Sequence, residues 1–275
     1  MHAHILGIGA LGPGFCDWPS LRDLMQQNST CVSNPPQTSI PNPAIIPTRE
    51  RRRAPALVRM AVDVATQACE HAKISPEETA CVFGSSMGDS EITDYMCGCF
   101  AADSQVVSPT KFHNSVHNAA TGYWSIATGC RQSLNSMSAF DLTTSVALLE
   151  AMIFCNSEQR PILMVLFDIV PPDKIRDIVP ITDSFAAALV LSPGSDTTNT
   201  KVDNQPTITL SLSSGLTEWP TMNWLQNNSA LDQLYNSNPS ARVLALLELI
   251  NRGGSSMTTM PVGEDTSLSV SVAYR

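Results

Sequence analysis

Residues 161-PILMVLFDI-169 form an almost unbroken apolar run, and a second run, 184-SFAAALVLS-192, follows it. Each is short and bounded by Pro, Asp or Gly, which predicts strands rather than helices. Neither alternates apolar with polar residues, so both strands should be covered on both faces. Working outward, 2-HAHILGIGA-10 and 79-TACVFG-84 read as further strands, and 207-TITLSLSS-214 and 266-TSLSVSVAYR-275 as strands near the carboxyl end. Between them, 49-RERRRAPALVRMAVDVATQACEHAK-73 carries Leu57, Val58, Met60, Ala61, Val64, Ala65 and Ala68 at helical spacing. Further helices are predicted over roughly residues 89–101, 114–128, 141–155 and 229–252. Strands separated by helices give an α/β layered fold, with helices around a mixed β-sheet.

The chain has 275 residues, 43% hydrophobic and only 15% charged, with a net charge of −9. A low charged fraction points to extensive internal surface or a large partner interface. The acidic balance argues against general nucleic-acid binding, which needs a basic footprint. No apolar run approaches the roughly 20 residues that span a bilayer, and the opening residues lack the basic start of a signal peptide. A cytoplasmic location is the default expectation. The five prolines of 34-NPPQTSIPNPAIIP-47 predict a long surface excursion, and 195-SDTTNTKVDNQP-206 a polar loop.

Several motifs invite chemical readings. Gly7-Ile-Gly9-Ala-Leu-Gly12 matches a dinucleotide fingerprint as a string, but Pro13-Gly14 follows where a helix should open, so a tight strand-to-loop turn is expected. His113 and His117 would share a helical face, yet no third metal ligand accompanies them. The eight cysteines match neither a zinc site nor a disulfide scaffold, and most should be reduced, buried and inert. Arg49, Arg51, Arg52, Arg53 and Arg59 form a concentrated basic cluster, either a solvated face or a docking site for an anionic partner.

The segment 107-VSPTKFHNSVHNAATGYWSIATG-129 resembles the β-ketoacyl synthases of the thiolase-like superfamily, through Ser108-Pro109, Phe112, Asn118 and Gly122-Tyr-Trp-Ser125-Ile126. The opening strand with Gly7 and Gly9, the Gly84-Ser-Ser-Met-Gly88 turn and the paired apolar strands extend the likeness over about residues 1–195. In the ungapped register the family's nucleophile falls in 133-SLNSMSAFDLTTSVALLEAM-152, on Asp141 with Phe140 beside it. Neither can accept an acyl group as a thioester. Every histidine lies at or before position 117, so the family's catalytic histidines are missing as well. Asp141 at a helix start reads as a cap.

The resemblance therefore implies a thiolase-like layered fold with its N-terminal half largely complete and its C-terminal half shortened. It implies one domain over 1–275, in which 196–275 is a reduced C-terminal portion. A relative without nucleophile or histidines looks like a chain-length factor. Together with the arginine-rich stretch before the first long helix, it resembles the shortened type of bacterial aryl polyene biosynthesis. Such a subunit pairs with an active β-ketoacyl synthase in a heterodimer and meets acyl carrier protein through that complex, with no cofactor or metal of its own. By position, Met87 is the implied acyl-tunnel gate and Phe112, with Lys111 beside it, faces the partner's pocket. Ile92, Tyr95 and Met96 are further wall candidates, and Arg49, Arg51, Arg52 and Arg53 a possible carrier-protein dock. The rival readings are an independent acyltransferase or malonyl decarboxylase using Asp141 or Cys130, and a scaffold that leaves the synthase pocket unshaped.

Overall fold

A computed structural model describes residues 1–26, 35–102, 106–194, 205–226 and 228–274. Cys31 and most of the loop at 195–206 lie outside the described residues. The chain runs β1 (His2–Leu11), α1 (Trp18–Gln26), α2 (Thr48–Arg51), α3 (Ala56–Ala72), β2 (Ala80–Gly84), α4 (Ser90–Ala101), α5 (Pro109–His113), α6 (Ala119–Thr128) and β3 (Leu134–Met137). It continues with α7 (Thr143–Glu158), β4 (Ile162–Asp168), β5 (Phe185–Pro193), β6 (Pro206–Ser214), α8 (Asn223–Gln226), α9 (Ser229–Ser237), α10 (Leu244–Arg252), β7 (Ser255–Gly263) and β8 (Thr266–Tyr274).

The strands form one eight-stranded sheet in the order β3-β2-β4-β5-β1-β6-β8-β7. β2 pairs in parallel with β3 and β4, and the other pairings are antiparallel. The unbroken apolar runs are explained by two cores. Ile162, Met164 and Leu166 of β4 and Phe185, Ala187, Leu189 and Leu191 of β5 meet α7 and the carboxyl-terminal helices. Leu163, Val165, Phe167, Ala186, Ala188 and Val190 face the opposite core, which holds α3 and α6. The three strands beyond β1 differ, because only one of their faces reaches a core. Ile208, Leu210, Leu268, Val270 and Val272 are buried there, and alternation returns.

The expected tight turn follows β1, where Gly12 and Phe15 exchange backbone hydrogen bonds at 3.1 and 3.2 Å around Pro13-Gly14, but the first two glycines of the motif have another cause. Gly7 and Gly9 lie inside β1, where α3 presses on the sheet. A Cβ at Gly9 would stand 2.2 Å from the Val64 carbonyl oxygen, and one at Gly7 2.2 Å from that of Ala68. A bulge between Ile5 and Gly7 shifts the strand's parity. Ala3, Ile5, Ile8 and Ala10 therefore all reach one core while the glycines face the helix. The Cα faces of Gly7 and Gly9 are closed against α3, and no helix opens directly after Gly12.

Several boundaries also differ from expectation. The helix predicted over 114–128 begins only at Ala119, and a separate short helix, α5, ends at His113, so His113 and His117 share no helical face. The predicted helix at 229–252 breaks where Asn238 caps a turn starting at Pro239. Residues 206–274 build no second sheet among the described residues; β6, β8 and β7 extend the first one across β1.

Candidate functional site

Three parallel strands end side by side at Gly84, Met137 and Asp168, and their outgoing connections make the site. Chains leaving the carboxyl ends of parallel strands are where α/β sheets place binding groups. From β3 the chain passes Ser138 and Ala139 into a single 3₁₀ turn, Phe140–Leu142, and then into α7. Phe140 has φ of 49°, a left-handed backbone for a residue with a bulky side chain. The residue is 73% exposed. Thr143 fastens the turn: its Oγ1 accepts from Ala139 N at 3.1 Å and donates to Phe140 O at 2.6 Å. This strand-to-helix elbow, with strained backbone and an outward side chain, is the geometry that presents a nucleophile in other α/β enzymes. Here it presents a phenyl ring.

Asp141 does not cap the helix as its position suggested. It makes no capping hydrogen bond, and neither the 3₁₀ turn nor α7 has a side-chain cap at its start. The Asp141 carboxylate lies 3.8 Å from Arg242 Nη2. Arg242 is buried, its guanidinium 5.3 Å from the Trp219 ring centroid and 4.9 Å from that of Tyr235, and it donates to Asn236 O at 3.1 Å. Burial pushes the Tyr235 hydroxyl up to about 12, with Arg242 pulling against it. The carboxyl-terminal segment thereby reaches the elbow through a stacked arginine.

Beneath the elbow lies a buried carboxylate that the sequence reading passed over. Asp168 closes β4 and is 1% exposed. Its Oδ1 accepts from Ser85 Oγ at 3.0 Å, Ser86 N at 2.8 Å and Ser86 Oγ at 2.9 Å. Its Oδ2 accepts from Ser240 N at 3.2 Å and Ser240 Oγ at 2.6 Å. One side chain thus joins the turn after β2, the end of β4 and the segment before α10. Burial raises its pKa against the pull of those hydrogen bonds. Ser138 Oγ donates to Ser86 O at 2.6 Å, and His117 Nε2 lies 2.9 Å from Met137 O, which binds the elbow to the same turn. The signal was present in the sequence: a single charged residue closes an otherwise apolar strand, and it needs buried donors.

The remaining candidates fall into separate places. Met87 sits on the turn after β2, half-exposed, in a pocket of about 70 Å³ shared with Val116 and His117. Gly88, with φ of 65°, completes that turn, and Asp89 caps α4 by accepting from Ile92 N at 3.1 Å. Ile92 is buried. Tyr95 and Lys111 come together across α4 and α5, with the Lys111 Nζ 4.3 Å from the Tyr95 ring centroid, and Tyr95 OH accepts from Ser108 N at 2.9 Å. Both line an open cleft of about 840 Å³ with Val106, Pro172 and Lys174. Met96 is half-buried and Phe112 60% exposed. Arg49, Arg52 and Arg53 are exposed and Arg51 half-exposed, at or just beyond α2; Asn114 Nδ2 donates to Arg53 O at 3.0 Å. Cys130 precedes β3 while the elbow follows it, so this thiol lies at the opposite end of the strand from Phe140.

Residues 24–245 match the family model of the β-ketoacyl synthase, N-terminal domain. The chain belongs to this family. The match reaches further toward the carboxyl end than the 1–195 stretch that carried the sequence resemblance. A search of the curated proteins gave no match. Among solved structures, the ketosynthase (ApeO) in complex with its chain length factor (ApeC) from Xenorhabdus doucetiae aligns with a TM-score of 0.71 at 20% identity, over 98% of this chain and 99% of that one. A β-ketoacyl synthase from Burkholderia phymatum STM815 gives 0.71 at 12% identity, over 100% and 99%. The ishigamide ketosynthase/chain length factor gives 0.69 at 10% identity, over 100% and 99%. At such identities these structures establish the fold, which is α/β and thiolase-like. Among the described residues no helix is long and apolar enough to cross a membrane.

Proposed function

We propose that this protein is a non-catalytic chain-length-factor subunit. It pairs with an active β-ketoacyl synthase and shapes its acyl tunnel during type II elongation of a polyketide, of the aryl polyene type, on an acyl carrier protein. The observation that carries the reading is the elbow: the backbone that should present a nucleophile is kept, strain included, while its side chains are Phe140 and Asp141. A phenyl ring forms no thioester, and Asp141 is engaged with Arg242. A retained scaffold without its reacting group fits a chain whose surface serves another subunit's reaction. The likeness to ketosynthase and chain-length-factor complexes agrees with this.

Two surface features support a partner beside the elbow. Among the described residues β3 ends the sheet with one edge unpaired. Phe112, Val116 and Phe140, each more than half exposed, lie on connections near the carboxyl ends of β2 and β3. In this reading Met87, Lys111, Phe112, Tyr95 and Met96 contribute to the wall of a shared acyl tunnel, with Ile92 packed behind it.

The test is reconstitution with the candidate synthase and carrier protein, followed by mass analysis of the products with and without this chain. The pair should co-purify, and the isolated chain should take up no acyl label from an acyl thioester. Acyl loading of the isolated chain would overturn the proposal. Met87→Ala is expected to lengthen the products while turnover persists, because a wall residue discriminates each further methylene by only about 1–3 kcal/mol. An unchanged product distribution would remove Met87 from the wall. Reversing the charge of Arg51, Arg52 and Arg53 is expected to weaken carrier binding to the pair, and unchanged binding would free the cluster of that role.

A further inference from the structure

At the end of β2 and β3 remote from the elbow, two buried thiols converge on one carbonyl oxygen. Cys81 Sγ donates to Thr79 O at 3.2 Å, and Cys130 Sγ lies 3.4 Å from the same atom. Cys81 is the second residue of β2 and is fully buried; Cys130 lies in the connection from α6 to β3 and is 1% exposed. The two segments are joined through Cys81 N, which donates to Ser133 O at 2.9 Å. One acceptor shared by two S–H groups leaves a better arrangement open: with Cys130 ionised, Cys81 donates to the thiolate instead.

The surroundings favour that ionisation. The Cys81 thiol, the Gln132 backbone N–H and the Arg160 charge act together against burial and bring Cys130 down to about 6, while burial raises Cys69, Cys81 and Cys155. Arg160 is held on this connection by a 2.6 Å hydrogen bond from its Nη1 to Gln132 Oε1. Gly129 and Arg131, on either side of Cys130, are exposed, and Gly129 turns the chain with φ of 73°. Cys130 is thus one residue below the surface of a non-regular segment, within reach of a small oxidant when that segment opens slightly.

We propose that Cys81 and Cys130 are a peroxide-reactive thiol pair that closes to a disulfide. The Cys130 thiolate attacks hydrogen peroxide, giving a sulfenic acid and hydroxide. Cys81 sulfur then displaces the sulfenic oxygen; the S–S bond forms, the S–O bond breaks, and water leaves with the Cys81 proton. Overall two thiols are oxidised and one peroxide is reduced to two waters. The sulfurs, which now meet the same Thr79 carbonyl oxygen, must close to about 2.05 Å, which draws the segment leading into the edge strand β3 onto β2.

The test is peptide mapping of the intact folded chain after hydrogen peroxide treatment and alkylation, with and without reduction. A reducible peptide pair linking Cys81 to Cys130 is expected, at peroxide levels that also oxidise the exposed Cys16 and Cys97. In Cys81→Ala the sulfenic acid should persist at Cys130 and be trapped by dimedone; Cys130→Ala should leave Cys81 unmodified. The wild-type rate should rise about tenfold between pH 5 and 7.5 and then level off, as a thiol ionising near 6 requires. The proposal is overturned by the absence of the linked pair in folded wild type, or by a rate that keeps rising toward pH 9. The wild-type pH profile decides the matter even where a variant fails to fold.

Discussion

Asp168→Ala is expected to lower the unfolding free energy by roughly 1–3 kcal/mol. The carboxylate is the acceptor for the Ser86 backbone N–H, which cannot rotate toward another partner, whereas the Ser240 N–H also donates to Asn238 Oδ1 at 3.0 Å and keeps that bond. Each buried donor left unpaired costs about 1–3 kcal/mol, and the three serine hydroxyls that also point at Asp168 can turn away at smaller cost. Against a total stability of about 5–15 kcal/mol, the loss should be plain in denaturant unfolding. A loss below 1 kcal/mol would mean that these groups find other acceptors. The pH dependence has a definite sign. Burial holds the folded-state pKa above the ordinary aspartate value. Between the two values the folded chain keeps a proton that the unfolded chain releases. The contribution of this residue is therefore largest below about pH 4 and declines as pH rises through the folded value. Asp168→Asn does not titrate, so the stability of wild type relative to this variant should fall as pH increases from about 4.

Gly9→Ala is expected to be comparably damaging for a different reason. The added carbon would lie 2.2 Å from Val64 O and 2.9 Å from Gln67 Cβ, so the backbone of α3 must move. Overpacking of this kind typically costs about 1–3 kcal/mol and more where backbone gives way, so an effect at or above the top of that range is expected. The same shift would disturb the hydrogen bond from Ala10 N to Gln67 Oε1. Gly122→Ala is the control. This glycine lies in α6 with open space around its Cα, and alanine there should stabilise by about 0.5–1 kcal/mol. Equal melting temperatures for the two variants would contradict the close approach of helix and strand.

Residues 161–169 and 184–192 were legible as strands buried on both faces because burial removes alternation, and β4 and β5 meet apolar layers on each side. The register of the family resemblance falls on Asp141 with Phe140 beside it, and the turn from β3 into α7 spans Phe140–Leu142. Its direction of strain was not legible: nothing in Ala139-Phe140-Asp141 announces that Phe140, and not its neighbour, takes the left-handed backbone. β3 was missed because Leu134–Met137 is short, polar in part, and held mainly by pairing with β2. The same holds for β7, whose register is set by β8. The Asp168 network joins residues far apart in sequence, so only the assembled fold brings its serines together. Gly7 and Gly9 were noticed, but their reason lies in α3, nearly 60 residues later, as the 57-residue separation of Ala10 and Gln67 illustrates.

The central place of β1 has a consequence for how this polypeptide is made. Its neighbours on both sides are β5 and β6, and His4 meets Thr207 across 203 positions. A ribosome adding about 5–20 residues per second needs roughly 10–40 s to supply them. Throughout that interval the nascent strand stays unmated with its apolar face uncovered, and early encounter with a chaperone would shield it until the sheet can close around it.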